Sequence, residues 1–158
     1  MQFTEDFKKS LSRFASGVTI VTYSFENQKG GITVSSFSSV SLDPPLILFN
    51  INKTKPSHEK LISSSHFAVH ILSSYQEELS NQFSSSKTDK NEILDKIISE
   101  KIHNCPIIPG SLSTLVCENF KTYEGGDHTI FLGKIISVQT DEEKEPLLYY
   151  NRAYHFLK

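Results

Sequence analysis

The sequence has 158 residues, a formal net charge of -2, 37% hydrophobic and 22% charged residues. This length and balance predict one folded domain over residues 1–158 and exclude a disordered chain. The small charge, without a stretch that combines basic residues and aromatics, argues against nucleic-acid binding. No window reaches the ~18 uninterrupted apolar residues of a membrane span. We therefore expect no membrane association and a cytoplasmic location.

The cysteines and histidines give no sign of a metal site. Cys105 and Cys117 are the only cysteines, and they lack further ligands at zinc-site spacing, which favours reduced, structural thiols. His66 and His70 are four residues apart, but they fall on a predicted strand, where four residues span about 13 Å. We expect no metal.

The N-terminal half begins with an amphipathic helix and continues with strands. Phe3, Phe7, Leu11 and Phe14 recur at helical spacing, with Thr4 as the expected N-cap and Gly17 as the end. We expect this Phe face to pack on the body of the domain. Residues 18–25 and 32–40 predict a hairpin closed by a polar turn. Residues 43–45, Asp-Pro-Pro, break the pairing, and 46–52 predict a strand covered on both faces.

The second half mixes helices with further strands. Helices are predicted over 55–64 and 75–83, and a third begins after Asp89, which forms a capping box with Glu92. Strands are predicted at 67–72, 112–123, 128–139 and 147–150. Six to eight strands joined mostly by short turns favour a mainly β fold, an antiparallel β-barrel with inserted helices. No glycine-rich Rossmann or P-loop motif is present.

Four stretches carry candidate chemistry, and each also has an ordinary structural interpretation. Residues 31–45 contain five serines and a threonine, which suit a ligand with many acceptors or simply form a solvated edge strand. Residues 50–58 form an anion site at a helix start or an ordinary surface turn. His128 follows two glycines and an aspartate, at a pocket mouth or in a structural role. Residues 146–157 hold three tyrosines and an arginine, for stacking on a nucleotide or for closing the barrel.

In this order, the stretches resemble a known family, the short-chain flavin reductases of two-component flavin monooxygenases, which have an FMN-binding split-barrel fold with a Greek-key-like antiparallel barrel. The resemblance covers nearly the whole chain. The tail is most similar to the branch that contains the small reductase of hydroxyphenylacetate hydroxylase. The matching stretches are Arg13–Thr22, Gly31–Pro45, Phe67–Leu72, Gly126–Ile130 and Leu148–Phe156.

The resemblance implies a homodimer that passes a hydride from NADH or NADPH to FMN or FAD, for use by a partner monooxygenase. The flavin and the nicotinamide carry the redox chemistry, so no covalent nucleophile is needed. The alternatives are a flavin-binding or electron-transfer module without turnover, another split-barrel enzyme such as a pyridoxamine-phosphate oxidase relative, and a structural barrel.

The resemblance also assigns residues by position. His128 is expected at the nicotinamide, as a positioning group rather than an obligatory proton donor, with Arg152 and Tyr154 at the same mouth. The flavin ring is expected to contact Val34, Ser35, Ser36, Phe37, Ser39 and Val40. The ribityl phosphate is assigned to Asn50, Asn52, Lys53 and Ser57, and the adenylate half of FAD to Gln82, Phe83 and Ser84.

The sequence departs from the family pattern in two places. Val34-Ser35 stands where many relatives carry Ala-Asn, so a side-chain hydrogen bond to the ring is expected to be lost or replaced. The hydroxyls of Thr54 and Ser57 also differ from the commoner Ser-x-Thr spacing, which weakens the phosphate assignments near Lys53.

Overall fold

The computed structural model describes residues 2–98 and 100–157, in which short helices are inserted between antiparallel strands. The α-helices are α1 (Gln2–Ser12), α2 (Ser57–Ser63), α3 (Glu77–Ser84, after a 3-10 turn at Ser74–Gln76) and α4 (Lys90–Ile97). The strands are β1 (Ser16–Gly17), β2 (Thr19–Phe25), β3 (Gln28–Val34), β4 (Ser38–Leu42), β5 (Pro45–Asn52), β6 (His66–Ile71), β7 (Lys101–Ile102), β8 (Cys105–Pro106), β9 (Ser113–Gly125), β10 (His128–Thr140), β11 (Leu148–Tyr150) and β12 (Ala153–His155).

Seven strands form one antiparallel sheet in the order β3-β2-β6-β9-β10-β5-β4. Ser36, in the segment that follows β3, contacts β5 through its side chain. Its hydroxyl accepts a hydrogen bond from the Asn50 amide (2.9 Å) and donates one to the Asn50 carbonyl (3.2 Å). This contact links the two ends of the sheet and gives the partly closed antiparallel barrel that the sequence predicted.

Alternation along β5 separates the core from the outer face of this strand. Ile47, Phe49 and Ile51 are buried, and Phe49 stacks on Phe131 with ring centroids 5.3 Å apart. The residues between them on β5 are half-buried. The expectation that β5 is covered on both faces is therefore wrong for this chain alone, and the outer face is open to form a cleft.

A second core cluster joins α3 and α4 to the barrel. Phe83 of α3 packs directly over Gly31, where an added Cβ would lie 2.6 Å from the Phe83 ring. Gly31 therefore permits this close approach of helix and strand. The Asp89 side chain accepts a hydrogen bond from the Glu92 amide (3.1 Å), which confirms Asp89 as the N-cap of α4.

The N-terminal helix differs from its prediction. It begins at Gln2 and ends at Ser12, so Thr4 is not its N-cap and Gly17 does not end it. Its large apolar residues are exposed, with 82% of Phe3 accessible. The helical period predicts an apolar face correctly, but it cannot say which surface covers that face.

The predicted strand over 32–40 is two strands with a break. Val34 is the last residue paired with β2, and Ser38 is the first residue paired with β5. No described helix is long and apolar enough to cross a membrane.

Candidate functional site

A central cleft of about 480 Å³ lies between the end of β3 and the outer face of β5 and β10. Asn50 pairs with Ile130 and Asn52 pairs with His128 across these two strands, so the four side chains share one face. The volume is in the range of small-molecule sites. The lining residues are Ile32, Thr33, Val34, Ser35, Ser36, Asn50, Ile51, Asn52, Lys55, Gly125, His128 and Ile130.

The break between β3 and β4 leaves hydrogen-bond donors at the edge of this cleft. Within the described residues, the backbone amides of Ser35, Ser36 and Phe37 donate to no other group. The Ser36 hydroxyl is occupied by the Asn50 backbone. Ser36 can therefore offer a ligand its amide, whereas its side chain already closes the barrel.

His128 is held at the mouth of the cleft by its neighbour. Its Nδ1 donates to Asp127 Oδ1 at 2.7 Å, and 41% of its side chain is accessible. The hydrogen bond from His128, together with the charge of its imidazolium form, lowers the pKa of Asp127. With Nδ1 directed to the carboxylate, Nε2 is the nitrogen that can meet a ligand.

A second cavity, of about 220 Å³, continues from the central cleft through Lys55, and we call it the lysine pocket because Lys55, Lys60 and Lys90 line it. Desolvation and then the charge of Lys55 lower the pKa of Lys90, whose ammonium donates to the Ser85 carbonyl. Facing ammonium groups attract an anion. The pocket also brings together serines and Phe83 from separate segments: Ser57, Ser84, Ser85 and Ser86.

A third, outer cavity of about 330 Å³ lies beside the C-terminal hairpin of β11 and β12. The Tyr154 hydroxyl is 2.7 Å from Ser80 Oγ and donates to Asn81 Oδ1 at 3.2 Å. Thr33 Oγ1 donates to the Ser80 carbonyl at 2.7 Å, so strand β3, helix α3 and the hairpin are joined. Arg152 lines this cavity in a turn with φ of 64°.

The structure brings many of the predicted site residues together. The central cleft contains Val34, Ser35, Ser36, Asn50, Asn52 and His128, and the lysine pocket contains Ser57, Phe83 and Ser84. Arg152 and Tyr154 were expected at the cleft mouth with His128. They line the outer cavity instead. This cavity shares Thr33 and Ser35 with the central cleft.

Other predicted residues lie outside these three cavities. Phe37 packs against the core, and Ser39 and Val40 are exposed on β4, because the chain changes partner strand before them. Lys53 pairs with Glu124. Gln82 donates to Glu78 at 3.2 Å. The assignment by position placed all the named residues of 34–40 against one ligand, although neighbouring residues of this stretch point in different directions.

Lys55 and Thr33 lie in the candidate stretches 50–58 and 31–45 but were not assigned to the site, and Lys90 lies outside all four candidate stretches. Lys90 follows a serine-rich loop that reads as ordinary polar surface, and its approach to Lys55 depends on long-range folding. Thr33 and Ile130 could have been found from the period of two, since Thr33 lies two residues before Ser35 and Ile130 two after His128.

The fold and the cavities define a class of protein: a partly closed antiparallel barrel whose neutral, amide-lined cleft adjoins a cationic pocket, suited to a flat cofactor with an anionic tail. The family model described as "Flavin reductase like domain" matches residues 11–158. The chain belongs to this flavin reductase family, which confirms the resemblance read from the sequence.

Curated relatives and solved structures agree with this assignment. The chain is 34% identical to FMN reductase (NADH) SmoA of Agrobacterium fabrum, over 96% of this chain and 84% of that protein. It is 32% identical to the reductase component of 4-hydroxyphenylacetate 3-monooxygenase of Thermus thermophilus, over 97% and 96%. The NADH:FAD oxidoreductase SgcE6 of Streptomyces globisporus, in complex with NAD and FAD fragments, superimposes with a TM-score of 0.91 at 32% identity, over 99% and 94%.

These likenesses confirm the split-barrel fold and the enzyme class, an NAD(P)H-dependent flavin reductase that uses FMN or FAD. Relatives include reductase components of two-component monooxygenases. The sequence thus predicted the family, the barrel and the class of reaction correctly.

Proposed function

We propose that the central cleft holds the isoalloxazine ring of FMN or FAD and that the lysine pocket holds the flavin phosphate. The observation that carries this assignment is the division of polarity between two cavities joined at Lys55. Away from Lys55, the central cleft offers amides, hydroxyls and apolar side chains, which suit an uncharged ring. The lysine pocket offers ammonium groups and hydroxyls, which suit a phosphate.

In this proposal, the residues of the central cleft bind and orient the flavin ring. The amides of Ser35 and Ser36 would donate hydrogen bonds to acceptors of a bound flavin ring, and donors of this kind favour negative charge on such a ring. Ile32 and Ile130 line the same cleft and would exclude water from a bound ring. The flavin, when bound, supplies the hydride acceptor, so the protein needs no covalent nucleophile.

His128 orients the reduced nicotinamide in this proposal. Asp127 holds its Nδ1, which leaves Nε2 for a ligand, and a fixed imidazole can hydrogen-bond the carboxamide or a phosphate of the nucleotide. Arg152 and Tyr154 are assigned to the remainder of the nucleotide, since the outer cavity meets the central cleft at Thr33 and Ser35.

We further propose that the protein is a homodimer. Helix α1 presents an exposed apolar face, and Leu42 at the tip of the β4–β5 hairpin is 95% accessible. Exposed apolar surface of this kind is typical of protein interfaces. Sedimentation at several concentrations tests the association, and a monomer throughout would refute it. The exposed residues of α1 and its extension are Phe3, Phe7, Leu11 and Phe14.

A partner monooxygenase and a cytoplasmic location also belong to this proposal. The first is supported by relatives named as reductase components. We expect the reduced flavin to leave this protein and serve a second protein. The alternative, a flavin-binding or electron-transfer module without turnover, is tested by the same experiment as the enzyme.

The direct test is nucleotide oxidation followed at the nicotinamide band, with NADH or NADPH and with FMN, FAD or riboflavin added in turn. We expect oxidation that depends on added flavin and a preferred pair of cofactors. Flavin binding without oxidation of either nucleotide would support the non-catalytic module. The absence of flavin binding would refute the assignment of the central cleft.

A further inference from the structure

The central cleft contains two asparagines, Asn50 and Asn52. Both were assigned to the phosphate from the sequence, but their hydrogen bonding in the structure differs. Asn52 has a structural role, because its Oδ1 accepts hydrogen bonds from the amide (2.9 Å) and the hydroxyl (2.7 Å) of Thr54. It therefore shapes the turn that leaves β5. Asn50, two residues earlier on the same face, has no such role.

The Asn50 side chain is unused within the described residues. Its Oδ1 is buried without a hydrogen-bond partner, and the hydrogen bonds of Asn50 are those of its backbone. Ser36 clamps that backbone from across the cleft, which fixes the position of the Cα atom. A buried amide oxygen without a partner is unfavourable, and a ligand that pairs with it removes this penalty.

The position of Asn50 selects the part of the ligand that it meets. Lys55, the cationic side chain of the central cleft, lies at the Asn52 end, since its amide donates to the Asn52 carbonyl (3.0 Å). His128 pairs with Asn52 at the same end. Asn50 lies about 6–7 Å further along the strand, beside Ser36 and Ile130. This end is uncharged, so it suits the ring of the flavin rather than its phosphate.

The hydrogen-bonding groups of the Asn50 amide indicate which edge of the flavin ring it can contact. An asparagine amide carries one acceptor and a donor group side by side. The pyrimidine edge of an isoalloxazine ring carries an N3–H beside two carbonyls, which is the complementary pattern. The Asn side chain rotates readily about χ2 and can present both ends to this edge.

We propose that Asn50 pairs with the N3–H and an adjacent carbonyl of the flavin ring, and so determines ring binding rather than phosphate binding. This inference rests on the proposed function, because it assumes that flavin occupies the central cleft. It differs from the sequence-based assignment of Asn50 to the ribityl phosphate. It also supplies a ring hydrogen bond in a chain that has Val34-Ser35 in place of Ala-Asn.

The test measures the affinity of wild type and Asn50→Leu for lumiflavin, riboflavin and FMN by fluorescence titration. Leucine has a similar volume and no amide. We expect the variant to bind all three flavins about 10- to 30-fold more weakly, as two lost hydrogen bonds predict. Asn50→Ala is the second variant, in case leucine does not fit. Lys90→Ala is the matched control and should weaken FMN but not lumiflavin.

A second probe isolates the N3–H. N3-methyllumiflavin cannot donate from this position and keeps only the carbonyl, so Asn50→Ala should lose less affinity for it than for lumiflavin, and an equal loss for both would overturn the N3–H contact. Thermal unfolding without flavin should not lower the Tm of Asn50→Leu, because the amide has no partner to lose.

Each other outcome overturns the inference in a distinct way. If the variants bind FMN more weakly but bind lumiflavin and riboflavin as wild type does, Asn50 contacts the phosphate. A loss that begins at riboflavin would assign it to the ribityl chain. If wild type binds and reduces flavin but Asn50→Leu and Asn50→Ala bind lumiflavin as wild type does, the inference fails and the proposed function stands. If wild type binds no flavin, both fail.

Discussion

Two polar regions of the molecule, both containing histidine, use their hydrogen bonds in opposite ways. In the interior, His70 lies between Thr22 (3.0 Å from Nε2) and Thr114 (3.1 Å from Nδ1), and Thr22 donates to the Pro106 carbonyl at 2.7 Å. Thr22 then accepts Nε2–H, and Thr114 donates to Nδ1. We call these three side chains the interior seam, since every ring nitrogen in it has a protein partner.

The central cleft shows the reverse arrangement. The amides of residues 35–37, the side chain of Asn50 and Nε2 of His128 have no hydrogen bond to the described residues. Polar side chains alone therefore do not mark a site, since those of the interior seam are all paired with one another or with the backbone. In the cleft, several polar groups without internal partners lie together and are available to a ligand.

The largest expected effect on stability comes from the interior seam. His70→Ala leaves two buried hydroxyls without their ring partner and opens a cavity, so we expect the free energy of unfolding to fall by about 3 kcal/mol. Chemical denaturation measures this value. Flavin affinity of the folded fraction should stay at the wild-type level, and a selective loss of flavin affinity would contradict the comparison.

The interior seam also predicts an acid limb of stability. Burial lowers the pKa of His70 from 6.5 to about 3, because the neutral ring is favoured in the interior. The unfolded chain binds this proton at higher pH than the folded chain does. Stability is therefore fully present above about pH 6.5 and falls as the pH drops toward about 3. Denaturation across this range should show a flatter slope in His70→Gln, and an equal slope would refute the role of His70.

The lysine pocket provides the next effect. Lys90→Ala removes an ammonium group from the proposed phosphate site, so FMN should bind about 10- to 30-fold more weakly while riboflavin affinity stays unchanged. The two titrations test the division between cavities. Lys96→Ala is the control, since Lys96 pairs with Glu92 on the exposed side of the same helix. Equal losses for FMN and riboflavin would contradict the assignment.

His128→Ala tests the proposed role of the cleft histidine in orienting the nicotinamide nucleotide. We expect the KM for the nicotinamide nucleotide to rise about tenfold, which is about 1.4 kcal/mol. Unfolding stability should barely change, because the side chain is partly exposed. Asp127→Asn is the matched variant and should give a smaller rise through loss of ring orientation. Unchanged KM and kcat in His128→Ala would show that the orienting role is wrong.

The smallest effect is expected at the outer cavity. Tyr154→Phe removes the hydroxyl that joins Ser80 to the C-terminal hairpin, and the free energy of unfolding should fall by about 1 kcal/mol. Tyr150→Phe on the same hairpin is the control, because no hydrogen bond of its hydroxyl is present in the described part of the chain. A similar loss in both variants would indicate general packing rather than the Ser80 contact.

The sequence predicted the elements that local patterns determine. The strands of the barrel, the Asp89 cap and the position of His128 at the start of β10 follow from period, capping and turn residues. The break at residues 35–37 could not be predicted, because it depends on which strand is the partner. The exposed face of α1 could not be predicted either, since amphipathicity does not name what covers it.

The same limit applies to the site. Residues assigned by position fell into the central cleft where they lie on one face, as Asn50 and His128 do. Lys90 and Arg152 depended on distant segments meeting, and no local pattern reports that. Whether an asparagine is occupied, as Asn52 is, or unused, as Asn50 is, requires the atomic neighbours.

The most direct test of flavin reduction by this protein uses FMN with NADH or NADPH under anaerobic conditions, followed at the visible absorption band of the flavin. We predict that the band bleaches rapidly when the protein is present and that Lys90→Ala at low FMN slows the reaction, while riboflavin reduction is spared. Bleaching at the same slow rate with and without the protein, for both nucleotides, would contradict the central claim.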